Sequence, residues 1–99
     1  MKIVIKEPDN KPYIKDIEDK LEVWQNIVGG FIEVVNLTNT ILIVCNDEGK
    51  IKGLNMYFTW RNDIIVGTVC FVGDDGEEFR GLTENEIFDI LHYFDYYEY

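Results

Sequence analysis

The stretch TENEIFDILHYFDYYEY, residues 83–99, decides how the rest of the chain is read. Thr83 followed three residues later by Glu86 is a capping box: the hydroxyl accepts from one orphaned helix N–H and the carboxylate reaches back to another. The thirteen residues after the box hold a helical period. At about 100° per residue, Ile87, Ile90, Leu91, Phe94 and Tyr97 share a sector roughly 120° wide, the face expected to meet a core. Phe88, His92, Tyr96 and Tyr99 share a second sector about 80° wide on the other side, bordered by Glu84 and Asp95 and by Glu86 and Asp89. A helix that only closes a sheet needs one apolar stripe. Unless the helix frays beyond Phe94, the second stripe is covered by the chain, buried in an oligomer, or presented to a partner.

Upstream of this helix the pattern changes to strands. IIVGTVCFV, residues 64–72, is the most apolar run and reads as one central strand, with Gly67 a bulge or a point of close approach. Residues 2–6 form a first strand, closed by the proline and Asx residues of EPDN, and residues 12–16 can pair with it as a hairpin. A first helix is expected over residues 19–28. Asp19 with Glu22 resembles a capping box, Leu21, Trp24, Ile27 and Val28 make one stripe, and Gly29 supplies the stop. Strands at 31–36, 41–46 and 51–54 read as an antiparallel meander, whereas NMYFTWRN, residues 55–62, shows no clean alternation and takes no assignment. The reading is an α+β fold: one domain over residues 1–99, a mainly antiparallel sheet of five or six strands, and two helices, the C-terminal one packed on a sheet face.

Ninety-nine residues suffice for one core without a metal or disulfide staple. The longest apolar runs are too short to cross a bilayer, and the start MKIVIKEP lacks a signal-peptide pattern, so a cytoplasmic setting is expected. There Cys45 and Cys70, each within an apolar strand, read as buried thiols. The net charge is −10, and residues 73–99 hold nine acids against Arg80 alone, which places −8 of it in the last quarter of the chain. That field repels phosphate backbones, so nucleic-acid binding is not expected. It favours a basic protein surface.

Motifs for chemistry are sparse. DDGEE, residues 74–78, offers oxygen ligands but not the spacing of an EF-hand, and reads as a hairpin turn. Gly29-Gly30 follows a helix and so faces its negative end, which is wrong for a phosphate loop. His92 has Asp89 and Asp95 three residues to either side, but no nucleophile stands in a recognisable relation to it. Accordingly no catalytic residue, metal site or cofactor is assigned.

Four stretches carry a family resemblance. They are Gln25, Val28, Gly29, Gly30 and Glu33; Asn46, Glu48, Gly49 and Lys50; Gly67 with Thr68; and the FRGLT run, residues 79–83. In these the chain resembles a family catalogued as domain of unknown function 3846. It departs at Asn55 and Tyr57, where relatives show Pro-x-Asn, and in its acidic aromatic tail. The resemblance implies an α+β domain found in Gram-positive bacteria, their phages and conjugative elements, with no reaction attached.

Together these features point to a non-catalytic acidic binding protein, a phage or mobile-element accessory factor that binds, and by binding can inhibit, a basic host or defence protein. The residues expected to meet that partner are Phe88, Asp89, His92, Asp95 and Tyr96. The competing class is an oligomeric small-molecule or nucleotide binder, with the second stripe as subunit interface and a pocket near Tyr57, Trp60 and Arg61. An enzyme of unknown type ranks third.

Overall fold

The computed structural model describes residues 1–8, 10–48, 56–60 and 63–97, with the backbone path alone for 56–60, 63–66 and 95–97. In chain order the elements are β1 (Lys2–Lys6), β2 (Tyr13–Asp16), α1 (Leu21–Val28), β3 (Ile32–Asn36), β4 (Ile41–Asn46), β5 (Met56–Trp60), β6 (Asp63–Val66), β7 (Val69–Asp74), β8 (Phe79–Arg80) and α2 (Glu84–Tyr97). The main sheet runs β2-β1-β7-β4-β3, with β8 added to β7, and every pairing in it is antiparallel. β5 and β6 form a separate two-stranded hairpin. The α+β reading therefore stands: a sheet of five or six strands with two helices was expected, and the main sheet has six.

β4 buries all six of its residues, and β7 its first five. An antiparallel strand covered on one side alternates; unbroken burial means that both faces are covered. On one face Val4, Ile43, Val69 and Phe71 pack against Ile87, Ile90 and Phe94 of α2. On the other, Ile3, Ile5, Val44, Cys70 and Val72 pack against Trp24 and Val28 of α1. The sheet is thus the middle of three layers, with one helix outside each face. β4 and β7 each divide their side chains between two cores, so the period-2 pattern is hidden in a continuous apolar run.

Three expectations are corrected. The run over residues 64–72 is two strands, not one: Gly67 lies at φ 74°, a left-handed conformation that ends β6 and lets β7 start afresh in the main sheet. The first helix starts at Leu21, and its N-cap, Lys20, has no side-chain cap bond. Asp19 is not a cap because its Oδ1 accepts from Trp24 Nε1 at 2.9 Å, fixing the indole that fills the α1 core. Leu21, expected in the buried stripe, is 59% exposed. It occupies the first turn of α1.

The stretch that took no assignment contains β5, whose register with β6 shifts between Met56 and Phe58, and that irregularity breaks the alternation. A third meander strand at 51–54 lies outside the described residues. β4 instead has β3 on one side and β7 on the other.

The family motifs meet in space as scaffold. Gly29, at φ 81°, closes α1, and the N–H groups of Gly29 and Gly30 both donate to Gln25 O at 2.8 and 3.0 Å. Asn46, buried at the end of β4, donates from Nδ2 to Val28 O at 3.1 Å and accepts from Glu48 N at 2.8 Å. Asp47 N donates to Phe31 O at 2.8 Å. The Gln-x-x-Val-Gly-Gly stretch and the Asn-x-Glu stretch are therefore two halves of one joint between α1 and β4.

Candidate docking face on the C-terminal helix

α2 is anchored at its first turn. The capping box forms as the sequence predicts: Thr83 N donates to Glu86 Oε1 at 2.9 Å, and Glu86 N donates to Thr83 Oγ1 at 3.2 Å. Arg80 completes the anchor, donating through Nη1 and Nη2 to both oxygens of Glu86 at 2.8 and 3.0 Å. The same guanidinium donates to Gly81 O at 2.9 Å and to Thr40 O at 3.1 Å. The hydrogen bond from Arg80 lowers the Glu86 carboxyl from its ordinary 4.5 to about 2, with Thr83 and Thr40 adding to the effect against the cost of burial. The clasp ties the start of α2 to the loop between β3 and β4. It explains Gly73 as well: a Cβ there would lie 2.8 Å from Arg80 Cγ.

That loop and α2 enclose an apolar groove of about 260 Å³. Leu37 and Thr38 contribute from the loop, Ile41 and Phe71 from the sheet, and Asp89, Ile90, Tyr93 and Phe94 from α2. The loop is held in shape by Thr38 Oγ1, which accepts from Ile41 N at 3.0 Å and Thr40 N at 3.1 Å. Asp89 is the only charged residue in the lining among the described residues.

On the far side of Asp89 the predicted aromatic stripe begins. Phe88 is 65% exposed. Its ring stacks on His92, with centroids 5.6 Å apart and planes 12° from parallel. The i, i+4 spacing puts the two rings one above the other. Of the five residues expected to meet a partner, Phe88, Asp89 and His92 thus form one continuous exposed surface. Asp95 and Tyr96 lie within α2, but their side chains, like Tyr99, fall outside the described residues. Of the expected core face, Ile87, Ile90 and Phe94 are buried and Leu91 half-buried, while the Tyr97 side chain lies outside the described residues. The alternative pocket near Tyr57, Trp60 and Arg61 lies outside the described side chains.

Two residues were missed. Tyr93 is 45% exposed and lines the groove. At about 100° per residue it stands only about 60° from Ile90, and that border position was the available signal. Lys6 is fully buried on the α2 side of β1, with Nζ donating to Glu7 O at 2.6 Å and 5.9 Å from the centre of the Phe94 ring. Nothing local marks it, since lysine is among the residues least often buried.

Elsewhere the acidic loop is the hairpin turn that the sequence indicated: Asp74 Oδ1 accepts from Gly76 N at 2.9 Å, Asp75 N donates to Glu78 O at 2.9 Å, and Gly76 lies at φ 88°. Among the described residues no three metal-ligating side chains converge, and no helix is long and apolar enough to cross a membrane. Both cysteines are buried thiols, and burial pushes Cys70 up to about 12.

These features define a three-layer α+β domain with an aromatic and acidic helix face outward. The family model described as Domain of unknown function (DUF3846) matches residues 1–97, and the chain belongs to that family. No curated protein and no solved structure matches it.

Proposed function

We propose that the protein is a non-catalytic binding module that docks on a basic protein surface through the outer face of α2. The observation that carries this reading is Phe88, 65% exposed and stacked on His92 along a helix whose opposite face is already buried. Exposed apolar rings rimmed by carboxylates suit an interface with a desolvated aromatic centre and a charged border. The concentration of negative charge in residues 73–99 adds long-range attraction for a basic partner. The provenance that the family resemblance implies favours a cytoplasmic accessory role in a phage or mobile element, with a host or defence protein as target and inhibition as the consequence of occupying its basic surface.

The test is capture of partners on the tagged chain from host lysate, compared with a Phe88→Ala/Tyr96→Ala variant, alongside the native mass of each. Loss of a basic partner with the fold intact supports the reading. Unchanged capture and unchanged mass refute the assignment of this face.

A further inference from the structure

We propose that the groove between α2 and residues 37–40 seats one apolar side chain of that partner, and that a lysine or arginine beside it in the partner chain meets Asp89. The inference rests on the docking reading above and adds to it the chemistry of the partner's contact segment. Two observations select this occupant. The first is size: about 260 Å³ lies below the roughly 300–1,000 Å³ of small-molecule sites, and suits a leucine- or phenylalanine-sized anchor. The second is charge complementarity. Among the described residues the walls are mostly leucine, isoleucine and phenylalanine, with Thr38, Tyr93 and one exposed carboxylate, so an apolar group flanked by a cation satisfies both features.

Asp89 also joins the groove to the aromatic stripe. At about 100° per residue it lies about 40° from Tyr93 on one side and about 60° from His92 on the other. A basic residue held there sits between two aromatic surfaces, where cation–π attraction adds to the ion pair. The groove is pre-formed, because the Arg80 clasp on Glu86 and Thr40 fixes α2 against the loop that makes the opposite wall. A partner side chain therefore enters without an ordering cost on this side of the interface.

The experiment is an amide chemical-shift titration of the isotope-labelled full chain with short capped peptides. The probe is acetyl-Lys-Phe-Lys-amide; the controls are acetyl-Glu-Phe-Glu-amide, acetyl-Gly-Phe-Gly-amide and acetyl-Lys-Gly-Lys-amide. The expected result is saturable shifts at Thr38, Ile41, Asp89 and Tyr93 with the probe, at least fivefold weaker with every control, and a three- to tenfold loss of probe affinity in Asp89→Asn. Ile14→Ala, on the edge strand β2 and outside the groove lining, should keep the probe affinity within twofold. Equal binding of the neutral or acidic peptide overturns the proposal, because the groove is then indifferent to the cation. Shifts confined to Phe88 and His92 also overturn it, while leaving the docking reading in place. A concentration-dependent dimer that Asp89→Asn or Tyr93→Ala abolishes assigns the groove to a second copy and overturns it as well.

Discussion

Glu86→Gln removes the charge from the clasp that positions α2 while keeping an oxygen that can still accept from Thr83 N–H. In the native protein the Glu86 carboxyl titrates at about 2 instead of 4.5, chiefly because Arg80 hydrogen-bonds it. At 1.36 kcal/mol per pH unit, that difference sets a ceiling of about 3 kcal/mol. The pair stands at the rim of the domain, with side chains 29% and 12% exposed, so solvent screening reduces its contribution to about 2 kcal/mol. For a domain this size we expect Tm to fall by roughly 10 °C at pH 7. The pH dependence follows from the sign. The folded value is depressed, so the unfolded chain binds the proton more readily and stability rises with pH through this window. The contribution is full above about 4.5 and is lost as pH falls toward 2. Urea denaturation of wild type and variant from pH 7 to pH 2.5 should show two curves that converge on acidification. Parallel curves, or a Tm change under 2 °C at pH 7, would refute the clasp as an energetic element.

Three further outcomes follow from the same geometry. Gly73→Ala places a methyl group against the Arg80 side chain, so it should cost about as much as Glu86→Gln, and combining the two should cost less than their sum in a double-mutant cycle. Asn46→Leu leaves Val28 O and Glu48 N without their buried partner and should cost about 2–3 kcal/mol by chemical denaturation, with α1 protected less against hydrogen exchange than α2. Cys70, buried and raised to about 12, should resist an aromatic disulfide reagent at pH 8 in the native state and react only on unfolding, a contrast that a thiol-release assay reads directly.

What could be read from the chain was local or strongly periodic. The capping box at Thr83 and Glu86 needs only residues three apart, and it formed as predicted. β1, β4 and the pairing of β1 with β2 were legible for the same reason, as apolar runs bounded by turn residues. Features that depend on distant partners were not. Asp19 has the composition of a cap, but its carboxylate is taken by Trp24 Nε1, a contact set by how α1 lies on the sheet. Gly67 read as a bulge or a point of close approach because nothing in IIVGTVCFV says that its two halves belong to different sheets. The same limit governs the candidate site. The aromatic stripe on α2 was visible from helical spacing alone, whereas the groove beside it was not, since Leu37 and Thr38 come from a loop some fifty residues away in sequence.

Site-specific crosslinking bears most directly on the docking face. A photoreactive benzoylphenylalanine in place of Phe88, expressed in host cells, should form one dominant adduct with a basic protein, and raised salt in the lysate should suppress it. The same group in place of Ile14, an exposed residue on the edge strand β2, serves as the comparison. A strong adduct at Phe88 with none at Ile14 is the predicted result. Adducts of equal yield at both positions, or an adduct at Ile14 alone, would contradict the assignment of α2 as the binding surface.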